Sequence, residues 1–307
     1  RDRHKARIVH VIADSIEGWA DAFGFLLDAY IDGDHIEFDD SEIRPEGSTI
    51  SSTSAKAPGP ARLMKALENC RRVLEACVVR GGVLRPVDAF DLVMFAAECV
   101  RSGGVRRSAT IALFSPDDED MLNSKTGDWF STNPQRRLAN ISAAFLRQNP
   151  DRAAYDAIFA RTKQFGEPGV VWLNDLDHGF NPCVEAAQDP ILVLDDGSTK
   201  TGWSMCNLST VNVAEAKSPA SFWEACRYAA VLGTLQAAYT DAGYLGDVTK
   251  AILERDALMS AAVGNIVTAQ RADGKLYLGW RMANHTIQAL LDAITNTEGA
   301  MLIRTAD

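Results

Sequence analysis

The chain has 307 residues, of which 47% are hydrophobic and 23% charged, and its formal net charge at pH 7 is -10. This length can bury the core of one large α/β domain or of two smaller ones. The acidic balance argues against nucleic acid or an anionic membrane surface as the main partner. The longest apolar runs, GVVWL and PILVL, are too short to span a bilayer, and the basic start lacks the apolar core of a signal peptide.

The cysteines have no CxxC spacing and no histidines at ligand distance; they are Cys70, Cys77, Cys99, Cys183, Cys206 and Cys226. This spacing argues against a structural zinc site, and we predict no metal-binding residues. A chain of this length does not need disulfides for stability. We therefore expect a reducing, cytoplasmic setting.

Strands alternate with helices through the first two thirds of the chain, which predicts an α/β fold with some parallel pairing. Short apolar runs predict strands at 8–13, 108–114, 169–175 and 190–196, and DDGSTKTG predicts a turn at 195–202. Apolar residues at helical spacing predict a first helix that begins near Asp14 or Ser15 and ends near residue 31. The same spacing predicts helices at about 60–79, 86–101, 151–165, 218–238, 247–262 and 281–297. The polar, Gly-, Ser- and Pro-rich segment 47–60 is typical of a loop.

The stretch FNPCVEAAQ places an amide, a thiol and a carboxylate at alternating positions, Asn181, Cys183 and Glu185. In an extended strand these side chains would point to one face, about 7 Å apart. His178 lies close enough in sequence to act as a base for the cysteine. The alternative is a loop residue, a small buried cysteine and a solvated acid.

The stretch SGGVRRSA is a glycine-rich loop that leads into a predicted strand. Paired glycines let the backbone approach a ligand closely, and Arg106 and Arg107 can meet a phosphate or the edge of a base. The alternative is a tight turn with two solvated arginines.

Several of these segments, in this order, resemble the large subunit of ribonucleotide reductases. NPCVEA, followed by the cysteine of GWSMCNLSTVN, resembles the active-site segment, and GGVRRSATIALFSPDDEDM resembles the specificity loop with its following strand. DSIEGWADAFGFLLDAY, IRPEGSTI, NPQRRLANISA and EPGVVWLNDLDH also match, and LGTLQAAYTDAGYLGDVTKAILERDAL continues the match to about residue 258. RRSA and TGWSMCNLSTVNV favour class II, the branch that depends on adenosylcobalamin.

The resemblance implies a role for each polar residue around the active-site cysteine. Cys183 would become a transient thiyl radical and abstract the 3'-hydrogen of the ribose. Glu185 would be the general base on the 3'-hydroxyl, and Asn181 would hydrogen-bond the substrate. Cys206 resembles one half of the dithiol that reduces the 2'-position as water leaves. Val184 replaces a glycine that is common in class II members, and we expect its side chain to face away from the substrate.

The resemblance also implies nucleotide-binding residues outside the active-site segment. The specificity loop, 102–109, would contact substrate and read the effector through Ser102, Gly103, Gly104, Arg106 and Arg107. A deoxynucleoside triphosphate effector would bind within 14–57, at Asp14, Ser15 and Arg44. Helix capping and a surface arginine are the alternatives for these three residues.

The implied fold is part of a ten-stranded α/β barrel, formed by residues 1–262, with a central finger loop near 181–185 that carries the radical cysteine. Residues 263–307 match nothing in the family and form a divergent C-terminal segment. The family has its second redox cysteine on a strand before the ADSIEGW helix, but no cysteine precedes Cys70 in this sequence. The phosphate-binding loop of the family is missing as well.

The implied activity is reduction of ribonucleoside di- or triphosphates, with a thioredoxin-like or other dithiol as reductant. A homodimer or a complementing chain is expected as the protein partner. Two alternatives remain: a catalytically incomplete, nucleotide-binding regulatory fragment, and a different thiyl- or glycyl-radical enzyme on the same barrel.

Three expectations concern geometry. Residues 181–185 should lie at the tip of a loop inside the barrel, with Cys183 shielded from bulk water. Pairing of ILVL with WSMCNL should bring Cys206 close to Cys183. The first helix should pack against a second copy of the chain through Trp19, Phe23, Leu26, Leu27 and Tyr30.

Overall fold

A computed structural model of the protein describes residues 6–50, 56–100, 109–212 and 215–264. The predicted α/β class is confirmed in these ranges. The strands are β1 (Arg7–Val11), β2 (His35–Asp39), β3 (Thr110–Phe114), β4 (Ala139–Leu146), β5 (Gly169–Leu173), β6 (Gly179–Phe180), β7 (Ala187–Gln188), β8 (Ile191–Val193), β9 (Thr199–Thr201), β10 (Asn207–Asn212) and β11 (Met259–Gly264). The α-helices are α1 (Ile16–Asp32), α2 (Ala61–Val79), α3 (Pro86–Val100), α4 (Glu119–Leu122), α5 (Trp129–Thr132), α6 (Arg152–Phe165), α7 (Pro219–Ala238) and α8 (Gly246–Asp256).

The chain divides into two compact units, an N-terminal unit, Arg1–Leu176, and a C-terminal unit, Asp177–Asp307. Parallel pairing dominates the longer strands, as the alternation of strands and helices predicts. In the N-terminal unit, β1 pairs with β2, and β3, β4 and β5 form a three-stranded parallel sheet. In the C-terminal unit, β10 pairs with β11 in parallel, whereas β6–β7 and β8–β9 are antiparallel hairpins.

Helix α1 has clear signals at both of its ends. Ser15 is the N-cap, and its side chain accepts a 2.9 Å hydrogen bond from the backbone N–H of Gly18. Gly33 ends the helix in the left-handed conformation, with φ 79, which glycine adopts without a steric cost. The buried side of α1 packs with α2 and β2 around Leu26, Leu63 and Ile36. This packing fixes the start of α1 next to the loop that follows β2.

The second core of the N-terminal unit surrounds β4, on which Ile141, Ala143 and Phe145 are almost completely buried. Charged groups beside this core are paired, as burial requires. Lys125 Nζ lies 2.6 Å from Glu167 Oε2 and also donates to the carbonyl oxygen of Ala139. The pair therefore ties the residues just before β5 to the start of β4.

The C-terminal unit differs from the sequence-based expectation in two places. The strand β8 pairs with β9, not with WSMCNL, so the predicted pairing of ILVL is wrong. The helix predicted over 247–262 ends at Asp256, because Ala257 adopts a left-handed conformation with φ 41, and the chain continues as β11. The predicted helix at 281–297 lies outside the described residues. No helix in the described ranges is both long and apolar enough to cross a membrane.

Candidate active site

The segment that carries Cys183 is the loop of the β6–β7 hairpin. The backbone N–H of Val184 donates a 2.9 Å hydrogen bond to the carbonyl oxygen of Asn181, which closes a turn around Cys183. The backbone N–H of Asn181 donates to the carbonyl oxygen of Ala186, at 3.2 Å, and the Asn181 side-chain oxygen accepts from the Ala186 N–H at 3.1 Å. Asn181 is only 3% exposed, so a buried residue organises this loop.

The loop geometry corrects one expectation and confirms part of another. Residues 181–186 are not extended, so the predicted alternation of side chains on one face of a strand is wrong. A turn replaces the strand because Val184 has φ 69, in the left-handed region that a β-branched residue rarely adopts. Residues 181–185 do lie in a loop, between β6 and β7, while the predicted place of this loop inside a barrel stays a prediction.

Cys183 and Glu185 are both exposed. The expectation that Cys183 is shielded is therefore wrong for the chain as the structure describes it. The physical reason is the size of the hairpin, since β6 and β7 have two residues each and cannot enclose the loop between them.

Cys206 precedes β10 and is half-buried. Its Sγ accepts a 3.2 Å hydrogen bond from Nδ2 of Asn181. Burial raises the pKa of the Cys206 thiol, and the negative charge of Glu185 and the neighbouring Cys183 raise it further. The hydrogen bond from Asn181 lowers the pKa and so opposes these effects. The structure thus brings together all four residues of the predicted active-site set.

Ser204, two residues before Cys206, was missed by the sequence analysis. Its Oγ is buried and has no hydrogen-bond partner in the part of the chain that the structure describes. Buried polar atoms are rarely left unpaired, so this hydroxyl is a candidate for contact with a ligand or an ordered water. No pattern in the sequence distinguishes it from an ordinary serine near a strand.

The predicted effector residues are also close together, in the N-terminal unit. Arg44 Nε donates a 2.5 Å hydrogen bond to Oδ2 of Asp14, and both side chains are partly exposed. Ser15 caps α1, and Asp14 forms the ion pair with Arg44, while the effector role of these three residues stays a prediction. These residues surround the start of α1, where backbone N–H groups and the helix dipole favour an anion.

Several other predicted positions lie outside the residues that the structure describes. Ser102, Gly103, Gly104, Arg106 and Arg107 lie outside the described residues, between α3 and β3. The same holds for residues 265–307 of the divergent C-terminal segment. No group of three or more His, Cys, Asp or Glu side chains within the described ranges is arranged to hold a metal ion.

Comparison with known proteins finds sequence relatives that all carry the same kind of name. No protein-family model matches the chain. The adenosylcobalamin-dependent ribonucleoside-triphosphate reductase of Lactobacillus leichmannii is 31% identical over 194 residues, which cover 59% of this chain and 24% of that protein. A putative reductase of the same kind from Mycobacterium phage D29 is 29% identical over 238 residues, 66% of this chain and 32% of that protein. The chain is similar to class II ribonucleotide reductases.

A probable adenosylcobalamin-dependent ribonucleoside-triphosphate reductase of Dictyostelium discoideum is 28% identical over 198 residues, 58% of this chain and 25% of that protein. Among solved structures, a B12-dependent class II ribonucleotide reductase matches with a TM-score of 0.59 and 23% identity, over 94% of this chain and 44% of that chain. This likeness shows the fold. The matched part of the chain spans only about a quarter to a third of the length of these ribonucleotide reductase relatives.

Proposed function

We propose that this chain is part of a ribonucleotide reductase that converts ribonucleotides to 2'-deoxyribonucleotides with the help of adenosylcobalamin. The observation that carries the proposal is the cluster at the β6–β7 loop, where Asn181 links the loop of Cys183 and Glu185 to the thiol of Cys206. The names of the sequence relatives favour ribonucleoside triphosphates over diphosphates as substrates.

The residues at the loop fit the cofactor in one respect: Cys183 is exposed at the tip, where its thiol can be reached. Adenosylcobalamin, when bound, would supply the radical that removes the hydrogen atom of this thiol. The Cys183 thiyl group would then abstract the 3'-hydrogen of the ribose. Glu185, two residues along the same loop, would accept the proton of the 3'-hydroxyl, for which it must come within hydrogen-bond reach.

Reduction of the 2'-position requires two electrons and releases the 2'-hydroxyl as water. Cys206 would supply one of the two thiols, which together become a disulfide. The second thiol is not assigned in this chain, because the other four cysteines, Cys70, Cys77, Cys99 and Cys226, are buried. We propose that a thiol from elsewhere in the protein completes the pair and that a thioredoxin-like or other dithiol restores it.

We also propose the larger architecture of the family for the intact protein. Residues 1–262 would contribute part of a ten-stranded α/β barrel, and the loop 181–185 would be its finger loop. The parallel strands and the likeness to a class II structure support this fold. The setting would be the cytoplasm, where the thiols that we assign to catalysis, Cys183 and Cys206, would stay reduced.

Allosteric control is proposed at the start of α1. A deoxynucleoside triphosphate would bind there through Ser15 and Arg44, with Asp14 released from its ion pair or turned toward the sugar. The loop 102–109 would carry the signal to the substrate.

A homodimer is proposed through α1. Leu26 is buried in the core of its own unit, so its predicted contact with a second copy is wrong. Trp19, Phe23 and Tyr30 pack partly on the same core. Leu27 remains exposed, together with Ile31. Sedimentation that gives only monomer, with and without deoxynucleotide, would contradict association through this helix.

Because Cys183 is exposed, we propose that the active protein also requires a complementing chain or segment that encloses the loop. A radical that is open to water is prone to side reactions, so the active form should cover this thiol. The alternative is a regulatory fragment that binds nucleotides and lacks turnover. It predicts no deoxyribonucleotide formation even when the remaining segments of the protein are supplied.

The decisive experiment compares Cys183→Ser and Cys206→Ser in the intact or complemented protein, with adenosylcobalamin, a ribonucleoside triphosphate and a dithiol. Serine keeps the size of cysteine but cannot carry the thiyl radical. Cys183→Ser should abolish turnover and keep nucleotide binding. Cys206→Ser should keep the radical step and lose multiple turnover. Unchanged turnover in Cys183→Ser would refute the proposed function.

A further inference from the structure

The side chain of Asn181 has both of its polar ends occupied. Oδ1 accepts a 3.1 Å hydrogen bond from the backbone N–H of Ala186, within its own loop. Nδ2 donates a 3.2 Å hydrogen bond to Sγ of Cys206, which lies 25 residues further along the chain. An amide that is 3% exposed and bound at both ends has one preferred orientation.

We propose that Asn181 is a positioning residue that holds the Cys206 thiol against the β6–β7 loop. The loop is closed around this residue by the Val184 N–H and the Ala186 carbonyl oxygen. Cys206 stands at the entrance of β10, a different element of the C-terminal unit. The amide therefore makes the position of one thiol depend on the loop that carries the other.

The donated hydrogen bond also has an electrostatic consequence. Glu185 and burial both make the Cys206 thiolate harder to form, and an N–H group directed at the sulfur opposes them. In re-reduction the thiolate of an external dithiol attacks the disulfide, and Cys206 can leave as a thiolate. Because a leaving thiol of lower pKa departs faster, this donor favours re-reduction of Cys206. That consequence for turnover rests on the proposed function, whereas the positioning role rests on the contacts alone.

The role differs from a substrate contact. The amide NH₂ of Asn181 carries two N–H donors, and in the structure this group donates to sulfur. Asn181 can therefore hold Cys206 through one N–H and donate the other to a substrate hydroxyl.

The first test uses the variant Asn181→Asp, which keeps the acceptor for Ala186 and removes the donor to Cys206. Iodoacetamide alkylation of the intact chain, resolved by peptide mass spectrometry, gives the pH profile of Cys206. We expect its midpoint to rise by about one pH unit, which slows alkylation below the midpoint about tenfold. Gln188→Glu adds the same charge on β7 of the same hairpin and is the matched control; it should shift the Cys206 profile much less.

The second test approaches the contact from the other side and remains informative if Asn181→Asp does not fold. Cys206→Ala removes the acceptor for Nδ2, whereas Cys206→Ser keeps one. Hydrogen exchange of the Ala186 amide should be about tenfold faster in Cys206→Ala than in Cys206→Ser, since the loop loses its tie to β10.

The outcomes are separable. An unchanged Cys206 profile in a folded Asn181→Asp protein, or equal exchange of Ala186 in the two Cys206 variants, overturns the positioning role. Neither test measures turnover. An intact or complemented protein that fails to reduce ribonucleotides but shows both effects therefore refutes the proposed function and leaves the positioning role intact.

Discussion

Arg44 Nε lies 2.5 Å from Oδ2 of Asp14, and this ion pair joins the loop after β2 to the entrance of α1. Both side chains are partly exposed, so the pair contributes at most about 1 kcal/mol to stability. An arginine held this weakly beside a helix N-terminus can exchange its carboxylate for a phosphate. We predict that Arg44→Ala lowers deoxynucleoside triphosphate affinity at least tenfold, measured by titration calorimetry.

The control for this variant is Arg7→Ala. Arg7 forms an exposed pair with Glu37 on β1 and β2, 2.7 Å apart, so its removal changes the net charge by the same amount. It should leave nucleotide affinity nearly unchanged. Equal losses in both variants would mean that general charge, and not a site at α1, governs binding.

Glu185 is exposed on the same loop as Cys183, and its negative charge raises the pKa of Cys206. Glu185→Gln keeps the shape of the side chain and removes the base. We predict a loss of turnover of about 10²- to 10⁴-fold, the usual contribution of general base catalysis. Asp195→Asn, in the exposed turn between β8 and β9, removes one negative charge from the same unit and should retain activity. Turnover of Glu185→Gln within about twofold of the unmodified protein would exclude Glu185 as the base.

Val184 stores backbone strain at the tip of the loop, with φ 69. A β-branched residue in this conformation costs about 1–3 kcal/mol, whereas glycine adopts it freely. Because glycine also adds entropy to the unfolded chain, we predict that Val184→Gly raises the free energy of unfolding by about 1 kcal/mol. Urea denaturation measures the change.

The matched control is Val193→Gly, at an exposed valine of β8 whose φ is not positive. In this strand the same substitution should lower the free energy of unfolding, because glycine loses more conformational entropy on folding and no strain is relieved. A lower stability of Val184→Gly would show that the valine side chain makes contacts that outweigh the strain.

Cys70 and Cys99 lie in the core between α2 and α3, where burial raises the pKa of each thiol to about 12. The folded state therefore keeps these thiols neutral while the unfolded chain ionises from about pH 9. Their contribution to stability is complete below pH 9 and is lost between about pH 9 and 12. We predict that the free energy of unfolding falls in this window by up to about 1.4 kcal/mol per pH unit for each thiol.

The double variant Cys70→Ala, Cys99→Ala should be less stable at neutral pH and should show a shallower decline in alkaline solution. Leu74→Ala destabilises the same core without removal of a thiol and should keep the steep decline. Denaturant titrations at several pH values distinguish the two. Parallel curves for both variants would contradict the effect of the thiols.

The sequence determined the features that depend on local pattern. Apolar spacing and end signals located α1, α2, α3 and α6 to within a few residues, and the order of strands and helices indicated parallel pairing. Polar and apolar residues alternate in HIEFD, yet β2 was not predicted, because five residues between polar flanks are only a weak indication of a strand. The NPCVEA segment identified the candidate residues through its resemblance to a family.

The tertiary structure decided which residues meet and how. Asn181 and Cys206 lie 25 residues apart, and their contact depends on how the loop and the start of β10 pack together, which no local pattern encodes. The turn at Val184 replaced an expected strand, because hydrogen bonds to Asn181 hold a conformation that the propensity of valine opposes. The exposure of Cys183 likewise depends on which parts of the chain pack around it. Sequence patterns report the chemistry available to a chain, whereas distance and burial arise only when remote segments pack against each other.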